Sequence, residues 1–394
     1  MHAVDLTMFY CRRGGGVTSY IDAKARWCAR SGSHRHTVVG SSIASSAGKA
    51  RATGCDVATV ATHGVPIPGV ATYRLPLRCH AGVQALRQLR PDIIEAGDAC
   101  TCAWTAIRAR ELLGVPIVAF CHSDLAQLAQ ARFGACASRL CQQYLRHVYR
   151  QFDVVLAPSC LMVERLQAMG ITAVHQPLGV DTGCFTAQRR DDTLRRQLGL
   201  SGQSRLLIYA GRFTAEKNLP LLVQAVEQLG EPYHLILLGS GKLPPLSRRV
   251  TVLPYLHEPS AIARLLASCD VMVHAGHSET FGLAVIEAMA CGLPVVGPCA
   301  GGISELVDAQ SGVLFQPGRV AALCEAVTAV SGQHRDAMGQ AARQRVMQRY
   351  DWNAILPQMF RRYQTLPGMD RQAGSIPEAF GPDPGGKENS YAAD

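Results

Sequence analysis

Apolar residues run along this chain in short unbroken blocks, and most blocks are followed by a stretch with helical spacing. "HAVDLTMFY" (2–10) reads as a buried strand, and "VTSYIDAKARWCARSG" (17–32) as an amphipathic helix that ends at Gly32. "HTVVG" (36–40), "DIIEAG" (92–97), "PIVAFCHSD" (116–124) and "DVVLAPS" (153–159) read as further strands that end in small or polar residues. After a polar, turn-rich connection (176–204) the pattern restarts with "RLLIYAGR" (205–212), "YHLILLGSG" (233–241), "VTVLPYL" (250–256), "DVMVHAG" (270–276) and "LPVVGP" (293–298). Strands that are apolar throughout, rather than alternating, are covered on both faces. Separated by helices, they imply a parallel, doubly wound sheet. The pattern occurs twice, so the expected fold class is α/β with two Rossmann-like domains. They would face each other across a cleft lined by strand C-terminal ends, where such sheets bind ligands.

A length of 394 residues, 48% hydrophobic, supports two cores. No apolar run approaches the ~18–20 residues of a membrane span, and the first residues lack the charged and apolar regions of a secretory signal. The 15 cysteines are scattered without a Cys-x-x-Cys pair, which fits small core residues in a reducing compartment better than a zinc framework. The expectation is a soluble cytoplasmic protein. From residue 366 onward the sequence is rich in Pro and Gly and poor in apolar residues, the signature of a disordered tail.

Charge changes the picture. Residues 1–180 hold 19 Arg and Lys against 10 Asp and Glu, an excess equal to the whole-chain +9, whereas residues 181–394 hold 20 of each. A basic half beside a neutral half suggests an anionic partner: a membrane surface, nucleic acid or a phosphorylated substrate. The plainer reading is solubility combined with a bias to Arg, since only five of the 39 basic residues are Lys.

Four places could carry chemistry. Gly14-Gly15-Gly16 follows the first strand and precedes a helix, so backbone amides there could approach a phosphate. It is not the spaced Gly-x-Gly-x-x-Gly and has no P-loop Lys-Ser/Thr, and tight turns are common at this position. Arg212 and Lys217 sit in "YAGRFTAEKNLPLLVQAV", after the first strand of the second half. Two cations at a strand end and a helix start suit a diphosphate, Arg by bidentate hydrogen bonds and Lys as a point charge. His122 ends a strand of the first half and should point into the cleft; Asp124 could orient it or cap the next helix. "AGHSETFGLAVIEAMACG" (275–292) sets Glu279 in a turn before an apolar helix and Glu287 inside that helix. A carboxylate in such a run should be paired, protonated or bound to something. Free amides between the two could hold a phosphate while Glu279 accepts from sugar hydroxyls and Glu287 reaches a ribose.

These pieces, together with "GGGVTSYI", "QPLGVD", "HLILLGSGKL" and "YDWNAI", strongly resemble the retaining glycosyltransferases of family 4, which have the GT-B fold. They occur in family order over roughly residues 5–365. The resemblance implies an N-terminal acceptor-binding domain (1–180) and a C-terminal domain that binds the nucleotide sugar (181–347). A helix (348–365) is implied to cross back onto the first domain, followed by the tail (366–394). It implies that Arg212 and Lys217 stabilise the leaving diphosphate in place of a metal. It also implies donor contacts from Gly15, Gly16, Glu279, Phe281, Gly282 and Leu283, a ribose contact from Glu287, and His122 near the reacting face of the sugar. No cofactor and no metal are expected. The implied reaction moves a hexose from a donor of UDP-glucose or GDP-mannose type to a lipid or glycan acceptor, forming an α-glycosidic bond. The family pattern is broken in two places. Only "PPLSRR" (244–249) stands where a helix is usual, and Glu95-Ala96-Gly97-Asp98 replaces a strand end that usually contains His.

Two other readings compete: a GT-B nucleotide-sugar epimerase, and a non-catalytic protein that binds membrane surfaces. Nucleic acid is not expected as a partner, because the first half lacks aromatics for base stacking. An anionic membrane, the cytoplasmic face of the inner membrane, is the expected place of the acceptor. "SRLCQQYLRHVYRQF" (138–152) sets Leu140, Tyr144, Leu145, Val148 and Phe152 beside Arg139, Arg146 and Arg150, a pattern that suits an interfacial helix and equally an ordinary core helix with a solvated basic face.

Overall fold

A computed structural model describes residues 1–11, 15–41, 57–67, 70–330 and 332–369. The first sheet is built from β1 (His2–Leu6), β2 (Arg35–Gly40), β3 (Ala58–Ala61), β6 (Ile93–Ala96), β7 (Ile117–Phe120), β8 (Val154–Ala157) and β9 (Val174–His175), in the spatial order β3-β2-β1-β6-β7-β8-β9. A separate antiparallel hairpin, β4 (Val65–Ile67) and β5 (Val70–Leu75), stands beside it. The second sheet runs β12-β11-β10-β13-β14-β15, from β10 (Arg205–Phe213), β11 (Tyr233–Gly241), β12 (Val250–Pro254), β13 (Val271–Val273), β14 (Val295–Pro298) and β15 (Gly312–Phe315). Every pairing within the two large sheets is parallel. This is the expected pair of doubly wound α/β domains.

Helices α1 (Gly16–Ser31), α2 (His80–Leu89), α3 (Thr101–Leu113), α4 (Leu125–Tyr149) and α5 (Cys160–Ala168) accompany the first sheet. The short α6 (Leu194–Gln197) lies in the connection. The second sheet is accompanied by α7 (Leu219–Leu229), α8 (Pro259–Ala267), α9 (Leu283–Ala290), α10 (Ile303–Leu306), α11 (Val320–Ala329) and α12 (Gly332–Arg349). Gly32 takes the left-handed conformation (φ 64°) that ends α1, as its place in the sequence predicts. Residues 242–249, between β11 and β12, contain no helix, the consequence of the short "PPLSRR" segment. None of the described helices is long and apolar enough to cross a membrane.

The last helix, α13 (Trp352–Gln364), packs on the first domain. The chain passes between the domains twice at one point: Val180 N–H donates to Tyr350 O (2.8 Å) and Trp352 N–H to Val180 O (3.2 Å). Gly179 is needed there, because a Cβ would meet the Trp352 ring at 2.8 Å. Beyond the crossing, Tyr363 reaches a buried cluster beneath the first sheet. The Lys24 ammonium donates to Asp5 (2.8 Å) and Glu95 (3.0 Å), and the hydroxyls of Tyr20 and Tyr363 donate to Glu95. Two carboxylates share one ammonium. Burial alone would raise the pKa of Asp5, but Lys24 and His36 together outweigh it and hold Asp5 ionised; burial lifts Glu95.

The interfacial-helix expectation is corrected for most of the residues that carried it. Leu145, Val148 and Phe152 are buried in the first-domain core, and the Tyr144 hydroxyl donates to Ala99 O (2.7 Å). Leu140 stays exposed, but the rest of the stripe faces inward because it covers the sheet of its own domain, which helical periodicity cannot distinguish from facing a membrane. Of the expected tail, residues 370–394 lie outside the described residues.

Candidate active site

In each large sheet the strand order reverses about one pair, β1/β6 in the first and β10/β13 in the second. The loops leaving such a pair diverge and open a crevice. In the second domain those loops bring together residues 62 positions apart: Lys217 donates to Glu279 Oε2, and His274 Nε2 lies 3.5 Å from the same oxygen. Burial would raise the Glu279 pKa. The hydrogen bond from His274 and the Lys217 ammonium outweigh it, and the carboxyl sits well below its usual range. Gly276 permits the approach, because a Cβ would meet Glu216 O at 2.7 Å and Lys217 Cα at 3.0 Å. The amide of Gly276 donates to His274 Nδ1 (3.1 Å), which leaves Nε2 as the protonated nitrogen facing Glu279. Arg212, on the same side, is exposed; its carbonyl accepts from the Tyr209 hydroxyl (2.9 Å), and its guanidinium makes no hydrogen bond or ion pair to a described residue.

The start of α9 faces the start of α1 across the cleft. Gly282 precedes α9 at φ 110°, a conformation that favours glycine, and the first amides of the helix have no intrahelical acceptor. A Cβ on Gly16 would run into Leu283 Cδ1, so the glycine turn and the α9 start are in contact. Gly15 is exposed at that turn; Gly14 lies outside the described residues. The Phe281 ring turns away into the core and packs edge-on against Tyr350 (centroids 5.8 Å apart), so only its backbone faces the site. Glu287 is half-buried, its carboxyl group makes no hydrogen bond or ion pair to a described residue, and burial pushes its pKa up to about 8. Of the three fates its sequence position offered, burial favours protonation.

His122 stacks flat on Phe120 (4.2 Å) and lies 5.5 Å from the Tyr20 ring. Burial lowers its pKa to about 3, so the imidazole is neutral at physiological pH. Asp124 does not touch it. Its carboxylate caps α4 by accepting from Gln127 N–H (2.9 Å) and pairs with Arg165 (2.6 Å). The domains meet beside His122: the Thr280 hydroxyl donates to His122 O (3.3 Å) and the Gln127 amide to Ser278 Oγ (3.2 Å). His122, Lys217, Glu279, Gly16 and Leu283 therefore border one crevice.

Sequence reasoning missed three residues at this crevice. His274 ends a strand as His122 does and was open to the same argument. Gln127 sits one turn into α4. Tyr73, on β5, is the third: burial raises the pKa of its hydroxyl, and the Arg212 charge and the Gly15 backbone, both at this crevice, oppose the rise. Nothing in the sequence places that hairpin there.

Two family models together span most of the chain. The family described as "Glycosyl transferases group 1" matches residues 190–345, and "Glycosyltransferase Family 4" matches residues 14–183. A GDP-mannose-dependent alpha-mannosyltransferase of Mycolicibacterium smegmatis is 33% identical over 320 residues, 78% of this chain and 84% of that protein. A GDP-mannose-dependent alpha-(1-6)-phosphatidylinositol dimannoside mannosyltransferase of Mycobacterium tuberculosis is 29% identical, covering 88% of this chain and 91% of its own length. Among solved structures, sucrose-phosphate synthase from Thermosynechococcus elongatus superposes with TM-score 0.75 at 19% identity, covering 92% of this chain and 98% of that one. HepE of Anabaena in complex with UDP-glucose gives 0.73 at 21% identity, with coverage of 93% and 100%. The structural likenesses establish the fold, GT-B.

Proposed function

Since the chain belongs to the group 1 glycosyltransferases of family 4, we propose that it moves mannose from GDP-mannose to a hydroxyl of a lipid-borne or glycan acceptor. The anomeric configuration is retained and no metal takes part. The observation that carries this reading is the Lys217–Glu279–His274 cluster, set with Arg212 beside the start of α9. GDP-mannose is preferred over UDP-glucose because relatives covering 78% and 88% of the chain are named for GDP-mannose. The UDP-glucose complex is a structural likeness at 21% identity.

In this reading the diphosphate lies between the start of α9 and the glycine turn. Arg212 and Lys217 neutralise the charge that develops on the β-phosphate as the bond from C1 of the sugar to its oxygen breaks. The acceptor oxygen attacks C1 on the same face, and its proton passes to the departing phosphate. Glu279, ionised and fixed by Lys217 and His274, accepts hydrogen bonds from sugar hydroxyls. His122 contributes as a neutral hydrogen-bonding group rather than as a cation, in keeping with its lowered pKa. Glu287 meets the ribose diol.

The acceptor end favours lipid. A relative over 88% of the chain acts on a phosphatidylinositol dimannoside by name. The outer part of α4 also presents Phe133 (72% exposed) and Leu140 (67% exposed) on either side of a break at Gly134, with exposed Arg132 and Arg139 beside them. Apolar groups interleaved with arginines suit an anionic lipid surface.

The test is a thermal-shift panel of nucleotide sugars followed by product detection. GDP-mannose should raise Tm most and support transfer, because binding to the folded state alone raises stability. A larger shift and faster turnover with UDP-glucose would overturn the donor assignment.

A further inference from the structure

Outside the crevice, a second cluster bridges the two domains. Glu305, on α10 of the second domain, reaches the start of α5 in the first, where its two oxygens accept from the amides of Cys160 and Leu161 (2.8 Å each). Capping would account for the carboxylate alone. It does not account for what stands beside it. His175, at the end of β9, is paired in register with Ala157 of β8, the strand that leads into Cys160. One ligand atom each from Cys160, His175 and Glu305 lies within 4.8 Å of the others. Cys160 and His175 are exposed, and the His175 ring makes no hydrogen bond to a described residue.

We propose that Cys160, His175 and Glu305 bind a zinc ion that fastens the two domains together. One sulfur, one imidazole nitrogen and one carboxylate oxygen form a ligand set that zinc accepts and that magnesium and calcium do not favour. Across a tetrahedral zinc with bonds of ~2.0–2.3 Å, ligand atoms stand roughly 3.3–3.7 Å apart. Rotation of two exposed side chains closes the remaining gap. The Glu305 carboxylate is already held in place by its two amide donors. Water fills the fourth position, as in a zinc site with three protein ligands.

The bridge has a consequence for the crevice. Gly302, three residues before Glu305, donates its amide to Glu279 O (2.7 Å), so the segment that carries Glu305 backs the donor-side turn. Zinc joining Glu305 to α5 and β9 holds that turn against the first domain. The ion takes no part in group transfer.

The experiment titrates the full chain with Zn2+, measures metal retained after gel filtration by elemental analysis, and records Tm in parallel. The wild type should retain one zinc per chain with a rise in Tm, and Mg2+ should give neither. Cys160→Ser and His175→Ala should each weaken retention about tenfold or more and abolish the Tm rise. Cys136→Ser and Cys299→Ser, at exposed cysteines elsewhere, should leave both unchanged. Retention unaffected by Cys160→Ser and His175→Ala, or no stoichiometric retention, would overturn the site. Retention that depends on both residues but leaves Tm unmoved would overturn the bridge between domains.

Discussion

Lys217 and Glu279 hold each other across the point where the strand order of the second sheet reverses, one on the loop after β10 and the other on the loop after β13. The pair fixes a positive and a negative group side by side before any substrate arrives. Such preorganisation lets a site meet developing charge without rearranging. Glu279→Gln should leave the fold intact and lower kcat/KM roughly ten- to hundred-fold, for a lost charged hydrogen bond of about 1.5–3 kcal/mol. Lys217→Met should do at least as much. The double variant should fall well short of the product of the two, because contacting residues are not additive. Steady-state kinetics of all three variants checks this; independent effects would mean that the pair does not act as a unit.

Glu287 supplies a prediction in pH. Its folded-state pKa is raised to about 8 by burial, from an ordinary value of 4.5. Between those values the folded protein binds a proton that the unfolded chain has released, so this group's contribution is fully present below about 4.5 and is lost as pH rises through 8. Glu287→Gln removes the dependence. The Tm of the variant relative to wild type should therefore climb from pH 5 to pH 8.5. A difference that stays flat over that range would show the carboxyl to be ionised throughout.

For His122, a pKa of about 3 means the ring does not titrate within the working range. The kcat/KM profile should show no acidic limb near pH 6–7 that disappears in His122→Gln. Such a limb in the wild type, removed by the substitution, would give the imidazole an acid–base role that its environment argues against.

The cluster beneath the first sheet makes a sharp stability prediction. Lys24 is 0% exposed and is the only cation that touches both Asp5 and Glu95 among the described residues. Lys24→Met leaves two carboxylates without their counter-charge and should cost about 3–5 kcal/mol, measured by denaturant unfolding. Tyr363→Phe removes one hydroxyl and should cost about 1–3 kcal/mol. It should also loosen α13 from the first domain, seen as faster amide exchange in residues 352–364.

A lipid-borne acceptor predicts that Phe133→Ser with Leu140→Ser weakens co-sedimentation with anionic vesicles while Tm stays constant. Both side chains are exposed, so the fold does not depend on them. Binding should rise with anionic lipid content and fall with salt. Indifference to the double substitution would move the lipid contact elsewhere on the protein.

Much of the fold is legible in the residues because parallel strands, buried on both faces, are written as unbroken apolar blocks. β3, β9 and β15 escaped notice because they are short, only partly buried or at a sheet edge, and β4–β5 because it stands apart from both sheets. Glu279, Lys217 and His122 were readable as polar groups at strand ends, where α/β sheets place ligands. What a residue touches was not readable. Asp124 caps a helix instead of orienting His122, and the Phe281 ring serves the core while its backbone faces the crevice. On α4 Leu145 and Val148 of the apolar stripe are core, while Leu140 of the same stripe and Phe133, just before the break at Gly134, stay exposed. Contacts such as Lys217–Glu279 and Cys160–Glu305 join residues 62 and 145 positions apart, and only the tertiary fold brings them together.

The central claim is transfer from GDP-mannose with retention, driven by protein cations rather than a metal. The most direct measurement is NMR of the glycosylated product made from GDP-mannose labelled at C1 of the sugar, with the reaction run in excess chelator. The account predicts an α-configured anomeric signal and a rate undiminished by the chelator. A β-configured product, or loss of turnover restored by manganese, would contradict it.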